Sequence, residues 1–417
     1  MIAHSVPGRL IPETKVSARG ASRLKAGHSW VYRSDIALAG DVPPGSLVRV
    51  ADPRGKFLGT ALYSTSSQIA IRMISRDEVS DLPALIAQRL RDAIAYRNKV
   101  VTDTDAYRIV FSEADFLPGL IVDRYNDVLS VQILTQAMDT APVREAVVKT
   151  LVDELHPAGI VERVDPRIRE LEQLPPRKSG LLTGEKSSTV ITMNGARVER
   201  TCPERESKGP SPAGVRFHYD GLEGQKTGAF LDQRENYAAA AAYAHGEALD
   251  VFCYQGGFAL HLAPKCSTVT GVDSSRPALE TAEKNSALNG RDLEWIEANA
   301  FDLLKDYAAS GKQYDTIVLD PPAFAKTKRD LDKALRGYKE LNLRALKMLR
   351  PGGILVTCSC SFHVSPQDFL ETVASAAQDA HRSVRILESR AQAKDHPILL
   401  NVPETAYLKC LIINVSY

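Results

Sequence analysis

The second half of the chain alternates strand-like runs with helical stretches, and this alternation constrains the fold more than any other feature. From residue 217 onward, short apolar runs such as ALDVF (248–252), TVTGVD (268–273) and YDTIVLD (314–320) are separated by segments with helical spacing. The last run is almost continuously apolar, as expected of a strand that is covered on both faces. Repeated β–α units of this kind predict an α/β fold with a doubly wound, mostly parallel sheet.

Two other textures precede this region. Residues 1–80 contain short runs of period two broken by glycine, which predict a small β-rich domain. Residues 81–216 open with a helical stretch, continue as strand, turn and strand, and end in a charged, proline-rich segment, which predicts a small α/β domain and a linker. We therefore expect three domains, at residues 1–80, 81–216 and 217–417.

Charge and cysteine content exclude several functional classes. The six cysteines are scattered without CxxC spacing, so we expect neither a metal site nor a disulfide framework. No apolar run approaches the ~18 residues of a spanning helix, and residues 1–15 lack a signal-type apolar core, so we expect a cytoplasmic protein with no membrane partner. The net charge is +1, but residues 1–33 are basic, which suits either a polyanion or an ordinary solvated surface.

The ends of the predicted strands carry residues suited to a nucleoside. Gly256 follows the first strand, where a ligand can approach the backbone closely, although the same residue suits an ordinary turn before a helix. Asp273 ends the second strand and can accept hydrogen bonds from ribose hydroxyls. Asn299 and Ala300 follow the third strand, where an amide or backbone N–H can meet an adenine edge. Together these residues predict a cofactor that contains a nucleoside.

The turns after the first and fourth strands distinguish between two such cofactors. A nicotinamide dinucleotide favours G-x-G-x-x-G at the first turn, whereas the chain has CYQGGF (253–258). S-adenosylmethionine carries no phosphate and tolerates this looser turn. The fourth strand ends in DPPAF, in which Pro321 and Pro322 fix the backbone and aim carbonyls and the Asp320 carboxylate into the site. This turn is typical of enzymes that methylate a planar nitrogenous group.

Two cysteines end the fifth strand, in the sequence TCSCS (357–361). Side chains alternate along a strand, so Cys358 and Cys360 share a face, and Cys360 lies nearer the ligand end. We interpret Cys358 as a small buried hydrophobe and Cys360 as a candidate nucleophile that shares a crevice with Asp320. A thiolate that adds to C6 of cytosine would make C5 attack the sulfonium methyl, and an acid near N3 and N4 would stabilise the adduct.

These features resemble the bacterial large-subunit (23S) ribosomal RNA cytosine-C5 methyltransferases, a family with an N-terminal PUA domain. The resemblance extends over essentially the whole chain. It is carried by GHSWVYRSDI (27–36), GKFLGTALYS (55–64), KTGAFLDQRENY (226–237), DVFCYQGGFAL (250–260), VDSS (272–275), LDPPAFAKTK (319–328), RGYKELN (336–342), TCSCS (357–361), DHP (395–397) and AYLK (406–409).

The resemblance implies a PUA domain, a central α/β domain and a Rossmann-like class I methyltransferase domain. It also implies ribosomal RNA as the partner and allows a homodimer. By motif, the residues that border S-adenosylmethionine would be Phe230, Asp232, Gln233, Arg234, Asp250, Gly256, Asp273, Asn299, Ala300 and Asp320. The family nucleophile falls on Cys360. In one departure, the chain has no second cysteine after the fourth strand, where many related RNA enzymes use one to release the product.

A basic segment follows the DPP turn. We expect it to contact the RNA near a flipped base, or else to be an ordinary solvated loop. The candidate substrate residues are Pro321, Pro322, Phe324, Lys326, Lys328 and Arg329. Two alternatives stay open from sequence. Related enzymes with the same turn methylate guanine nitrogens without a cysteine nucleophile, and a non-catalytic RNA-binding factor could retain the fold.

Overall fold

The computed structural model describes residues 11–39, 41–195, 214–222, 228–325 and 327–416. These residues form two compact units. The first holds the described residues up to Lys99 together with Arg108–Ser187 and Ile398–Thr405, and the second holds the rest. Across the described ranges, no helix combines the length and the apolar content that crossing a membrane requires. The boundaries predicted at residues 80 and 216 stay predictions.

The first unit begins with a six-stranded sheet and one helix. The strand order is β2-β6-β5-β4-β1-β3, and the elements are β1 (Glu13–Val16), α1 (Ala18–Lys25), β2 (Trp30–Tyr32), β3 (Ile36–Ala39), β4 (Leu47–Ala51), β5 (Phe57–Tyr63) and β6 (Ile69–Ser75). In β4, Val48 and Val50 are buried while Arg49 between them is half-buried. This is the period-two pattern of a strand with one face toward a core.

The first unit continues with a five-stranded sheet and its helices. The strand order is β11-β10-β9-β8-β7. The elements are α2 (Leu82–Val100), β7 (Ala106–Phe111), β8 (Leu120–Tyr125), β9 (Val128–Ile133), α3 (Ala141–Leu155), β10 (Gly159–Glu162), α4 (Pro166–Leu171) and β11 (Gly180–Gly184). In α3, Val143, Val147 and Leu151 recur at helical spacing and are buried, which explains why this face packs inward.

The second unit contains a two-stranded hairpin and a seven-stranded sheet of order β16-β15-β14-β17-β18-β20-β19. The strands are β12 (Ser188–Met193) and β13 (Val215–Asp220) in the hairpin, then β14 (Glu247–Val251), β15 (Thr268–Asp273), β16 (Glu294–Glu297), β17 (Tyr314–Leu319), β18 (Leu349–Ser359), β19 (Ser383–Arg390) and β20 (Lys409–Ser416). The helices are α5 (Arg234–Tyr243), α6 (Gly257–Leu262), α7 (Arg276–Leu288), α8 (Ala300–Ala309), α9 (Leu331–Met348) and α10 (Pro366–Asp379).

The seven-stranded sheet is mostly parallel, as predicted. Strands β14 to β18 are mutually parallel, and β20 runs antiparallel to both of its neighbours. In β17, Ile317, Val318 and Leu319 are fully buried, since helices cover both faces of the sheet. This confirms the doubly wound α/β fold.

The strand order determines where a ligand binds. The chain moves outward from β14 to β15 and β16, and then returns to β17 on the other side of β14. The order therefore reverses between β14 and β17, and ligands of such sheets bind at the carboxyl ends beside this reversal. The register pairs Val251 with Leu319 and Leu319 with Thr357, so β14, β17 and β18 approach this edge together.

Candidate active site

A cavity of about 490 Å³ lies at the carboxyl edge of the sheet in the second unit. Its lining includes Asp273, Asp320 and Cys360, which end or follow β15, β17 and β18. Tyr407 and Leu408, which precede β20, also line it. The volume lies in the ordinary range for a site that encloses a small molecule. The ends of β15, β17 and β18, which were expected to meet at this edge, therefore do so around one cavity.

The loop after β14 has an unusual backbone. Phe252 and Tyr254 have positive φ angles of 68° and 49°, which are rare for bulky residues. The loop is held in place because the amides of Phe252 and Cys253 donate to the carbonyl oxygen of Val272 at 2.9 and 3.0 Å. Strained backbone of this kind persists where the surrounding structure fixes it, and it concentrates at functional sites.

Two glycines complete this loop, and neighbouring side chains leave no room for a Cβ at either position. Gly256 has φ of 86°, and a Cβ there would lie 2.8 Å from a ring carbon of Trp295. A Cβ on Gly257 would lie 2.6 Å from the Tyr237 ring. Gly257 lines the cavity and Gly256 does not. Packing against protein side chains therefore explains why glycine stands at both positions. Ligand contact at Gly256 stays a prediction.

Asp273 is prepared to hold a polar group of a nucleoside. Its carboxylate accepts hydrogen bonds from the amides of Tyr254 and Ser275, both at 2.9 Å, and these bonds fix its direction at the cavity wall. Phe230 and Tyr254 pack edge to face nearby, with ring centroids 5.0 Å apart. A fixed carboxylate beside aromatic rings fits the ribose and base of S-adenosylmethionine.

Asp250 lies behind the cavity wall. It is fully buried, and its Oδ2 accepts a hydrogen bond from the amide of Ala259 at 2.8 Å, in the first turn of α6. Burial, together with the negative charges of Asp320 and Asp273, raises the pKa of this carboxyl to about 8, against the Ala259 hydrogen bond, which lowers it. Asp250 is therefore not part of the cavity surface. It supports α6, which follows the loop at the site.

Asn299 and Ala300 also lie outside the cavity lining. The Asn299 side-chain oxygen accepts hydrogen bonds from the amides of Phe301 and Asp302, at 2.9 and 3.3 Å. It is the N-cap of α8, a position that favours asparagine. The predicted contact of Asn299 and Ala300 with an adenine edge stays a prediction.

The segment before α5 contributes three of the four residues expected there. Phe230, Asp232 and Gln233 line the cavity. The Gln233 amide donates to the Asp320 carboxylate at 2.9 Å, and Asp232 accepts a hydrogen bond from the Tyr407 hydroxyl at 2.6 Å. These bonds connect the fourth-strand turn and the segment before β20 to one short piece of chain.

Arg234 is placed differently from its three neighbours. Its side chain is 1% exposed, lies outside the cavity lining and forms an ion pair with Asp103 at 2.6 Å. A second, longer ion pair joins it to the fully buried Asp395 at 3.8 Å. Arg234 therefore ties together three distant parts of the second unit.

Asp320, Pro321, Pro322 and Cys360 line the cavity together. The Cys360 sulfur lies 3.9 Å from the carbonyl oxygen of Pro321. Cys358 is fully buried and lies opposite Cys410 in the register of β18 and β20, and burial raises the pKa of its thiol well above the ordinary value. Of the two neighbouring cysteines, Cys360 is the one that opens into the cavity with Asp320.

The basic segment after the DPP turn leaves the cavity. Phe324 packs on the Tyr338 ring, with centroids 4.8 Å apart, while Lys328 and Arg329 are exposed on a short 3₁₀ turn. None of these three predicted substrate residues lines the cavity. Lys326 lies outside the described residues. Among the described residues, no group of three or more His, Cys, Asp or Glu side chains is arranged to hold a metal ion.

Sequence reasoning missed two residues that lie at the site. Tyr407 lines the cavity and donates to Asp232. Lys409 is only 8% exposed, and its amine donates to the carbonyl oxygens of Ser361 at 2.7 Å and Tyr407 at 2.9 Å. The available signal was a lysine at the start of the long apolar run KCLIINV, since a lysine there is forced toward the protein interior.

Comparison with known proteins agrees with this geometry. Residues 15–76 match the family described as a PUA-like domain, and residues 203–413 match the S-adenosylmethionine-dependent methyltransferase family. The chain belongs to this methyltransferase family. The methyltransferase fold, the enzyme class and S-adenosylmethionine as cofactor are thereby confirmed, and the alternative of a non-catalytic RNA-binding factor is set aside.

Relatives of this methyltransferase match it along nearly its whole length. It is 37% identical to ribosomal RNA large subunit methyltransferase I of Photobacterium profundum, over 93% of this chain and 95% of that protein. It is 38% identical to the protein of the same name from Shewanella denitrificans, over 94% of this chain and 96% of that protein. The crystal structure of SMU.776, complexed with SAH, covers 97% of this chain and 100% of its own, with a TM-score of 0.80 and 19% identity, which shows a shared fold.

Proposed function

We propose that this enzyme transfers a methyl group from S-adenosylmethionine to C5 of a cytosine in large-subunit ribosomal RNA. The relatives named as large subunit methyltransferases support the substrate class, and so does the match of residues 15–76 to a PUA-like domain. The observation that carries the cytosine-C5 reaction is the position of Cys360, whose side chain lines the same cavity as Asp273 and Asp320. A ribosomal RNA substrate is reached in the cytoplasm, where we expect the protein.

The chemistry needs a nucleophile because C5 of cytosine is a weak one in the aromatic ring. The Cys360 thiolate forms a bond to C6, and the electron pair of the C5–C6 double bond moves toward N3, which makes C5 an enamine carbon. Asp320, oriented by Gln233, faces the N3 and N4 edge and stabilises the adduct. S-adenosylmethionine, when bound, supplies an electrophilic methyl group for C5. A base then takes the C5 proton, the double bond re-forms, and the thiolate leaves C6.

The cavity residues divide into two groups under this proposal. The residues that would hold S-adenosylmethionine are Phe230, Asp232, Gln233 and Asp273, with Asp250, Gly256, Asn299 and Ala300 supporting the surrounding turns and Arg234 anchoring α5. The residues that would hold the target base are Pro321, Pro322 and Cys360, while Phe324, Lys328 and Arg329 would meet the neighbouring RNA. The target base must leave any duplex to reach the cavity, so single-stranded or flipped cytosine is the expected substrate.

The proposal is tested by nucleoside mass spectrometry of ribosomal RNA from cells that lack this protein and carry either the native chain or a variant. We expect Cys360→Ala to abolish 5-methylcytosine formation while S-adenosylmethionine binding, followed by calorimetry, is kept. Cys358→Ala is the matched control, because Cys358 lies on the same strand but is fully buried, and it should keep methyl transfer. Full turnover by Cys360→Ala, with a methyl group mapped to a guanine nitrogen, would contradict the proposal.

A direct test of the covalent step uses RNA in which 5-fluorocytidine replaces the target cytidine. Fluorine at C5 cannot leave as a proton does, so the bond between sulfur and C6 persists. We expect a protein–RNA adduct that survives denaturing electrophoresis with the native chain and with Cys358→Ala, and is missing with Cys360→Ala. An adduct on any residue other than Cys360 would contradict the assigned role.

A further inference from the structure

A buried lysine lies next to the residues on both sides of Cys360. Lys409 pairs with Ser359 in the register of β18 and β20. Its amine donates to the carbonyl oxygen of Ser361 at 2.7 Å and to that of Tyr407 at 2.9 Å, and the residue is 8% exposed. Two short hydrogen bonds to main-chain carbonyls hold the amine in one place. Its position relative to the end of β18 is therefore fixed.

A buried ammonium group normally has an anion beside it, because taking a lone charge out of water is costly. Among the described residues, no carboxylate forms an ion pair with Lys409, and its two partners are neutral carbonyl groups. Burial lowers the pKa of Lys409 to about 8, while the neighbouring Cys360 acts in the opposite direction and favours the charged amine. The anion that matches this cation is the thiolate of Cys360.

We propose that Lys409 is a positioning residue that keeps Cys360 as a thiolate, ready to attack the base. The inference rests on the proposed function, in which Cys360 is the nucleophile. When Lys409 is already an ammonium group, the thiol proton passes to solvent; when the amine is neutral, the amine takes the proton. In both cases the electron pair stays on sulfur, and the resulting ammonium–thiolate pair is neutral as a whole. The sulfur electron pair then forms the bond to C6.

Three other titratable groups that the structure describes around the cysteine are not cations. Tyr338 of α9 donates or accepts a 2.9 Å hydrogen bond with the Ser361 hydroxyl, and burial raises its pKa, so it is neutral. Asp320 follows β17 and Asp232 precedes α5, and both are carboxyl groups on the cavity side. Negative charge on these carboxyls disfavours a thiolate. Under the proposal, the ammonium group of Lys409 offsets this negative charge.

The test measures how fast iodoacetamide alkylates Cys360 between pH 5.5 and 10, by peptide mass spectrometry on the full chain without RNA. Alkylation reports the thiolate, so its midpoint is the pKa of the Cys360 thiol. We expect the native midpoint to lie well below the ordinary value of about 8.5. Lys409→Met and Lys409→Gln should raise the midpoint by about one to three units, and Lys409→Arg should restore a low one. Lys347 is exposed, so Lys347→Met is the matched control and should leave the midpoint unchanged.

Two results would overturn the inference. One is a native midpoint at or above about 8.5, which is decisive even if a Lys409 variant fails to fold. The other is an unchanged midpoint in Lys409→Met or Lys409→Gln, in a variant that still binds S-adenosylmethionine and melts cooperatively. Alkylation needs no methyl transfer, so the two proposals fail separately. Turnover by Cys360→Ala would remove the proposed function. Loss of turnover in that variant, together with no midpoint shift in Lys409→Met and Lys409→Gln, would remove only this inference.

Discussion

Replacing Asp250 by asparagine should stabilise the protein at neutral pH. The carboxyl group is fully buried, and its Oδ2 accepts the hydrogen bond from Ala259 at 2.8 Å, which an asparagine oxygen can also accept. Burial and the nearby Asp320 and Asp273 raise its pKa to about 8. In the unfolded chain the same carboxyl titrates near 3.8. At pH 7 the group is therefore ionised when the chain is unfolded and protonated when it is folded.

The size and the sign of the effect follow from proton linkage. Because the folded-state pKa is raised, the favourable contribution of this carboxyl is fully present below pH 3.8 and is lost as the pH rises toward 8. Each unit costs about 1.4 kcal/mol, so at pH 7 the ionisable side chain costs about 4 kcal/mol relative to one that cannot ionise. Asparagine has no such dependence. The advantage of Asp250→Asn should therefore grow steadily between about pH 4 and pH 8 and then level off.

The assay is urea unfolding of the full chain at pH 5, 6, 7 and 8, followed by circular dichroism. The control is Asp292→Asn, since Asp292 is exposed and its replacement should change stability equally at each pH. The reasoning is refuted if the difference between Asp250→Asn and the native chain is the same at pH 5 and pH 8. It is also refuted if the free energy of unfolding of the native chain rises relative to that of the variant as the pH rises.

Two further predictions separate support of the site from contact with the ligand. Arg234→Met removes a buried cation that pairs with the buried Asp395, so it should lower the free energy of unfolding in urea by about 3 kcal/mol. Under the proposed function, Asp273→Asn should weaken S-adenosylmethionine binding about tenfold or more by calorimetry, because the charge-assisted hydrogen bonds proposed with the ribose are lost. Native affinity in Asp273→Asn, or native stability in Arg234→Met, would contradict these assignments.

The fold could be predicted because the alternation of strands with helices, and the burial of strands, determine which stretches of the sequence are apolar. The run YDTIVLD became β17 of the sheet, buried on both faces as its composition indicated. The placement of Cys360 in the cavity also followed from local rules, since alternation along β18 and the known ligand edge of parallel sheets require no tertiary detail. These inferences used only the period of a strand and the direction of the chain.

Other features of the site could not be predicted, because a residue can serve either a ligand or the fold and the sequence alone does not decide between the two. Asn299 stands at a strand end, where a ligand contact was expected, but it also precedes Asp302 by three residues, which is typical of a helix N-terminus, and its oxygen caps α8. Tyr407 reaches Asp232 across 175 residues of chain because β20 inserts antiparallel beside β18. No local pattern predicts that insertion. Long-range strand order is thus the part of the site that only the structure supplies.

Under the two proposals, charge determines which of the two cysteines in the cavity lining is the nucleophile. Cys253 and Cys360 both line the cavity, but burial, helped by the nearby Asp273 carboxylate, raises the pKa of the Cys253 thiol well above its ordinary value. Carboxylates at that end suit a cofactor that carries a positive sulfonium, and they keep a neighbouring sulfur protonated. A thiolate in such a cavity needs a cation beside it to offset the carboxylates. Under the proposal, Cys360 meets that condition, because Lys409 is hydrogen-bonded to Ser361 at the end of β18.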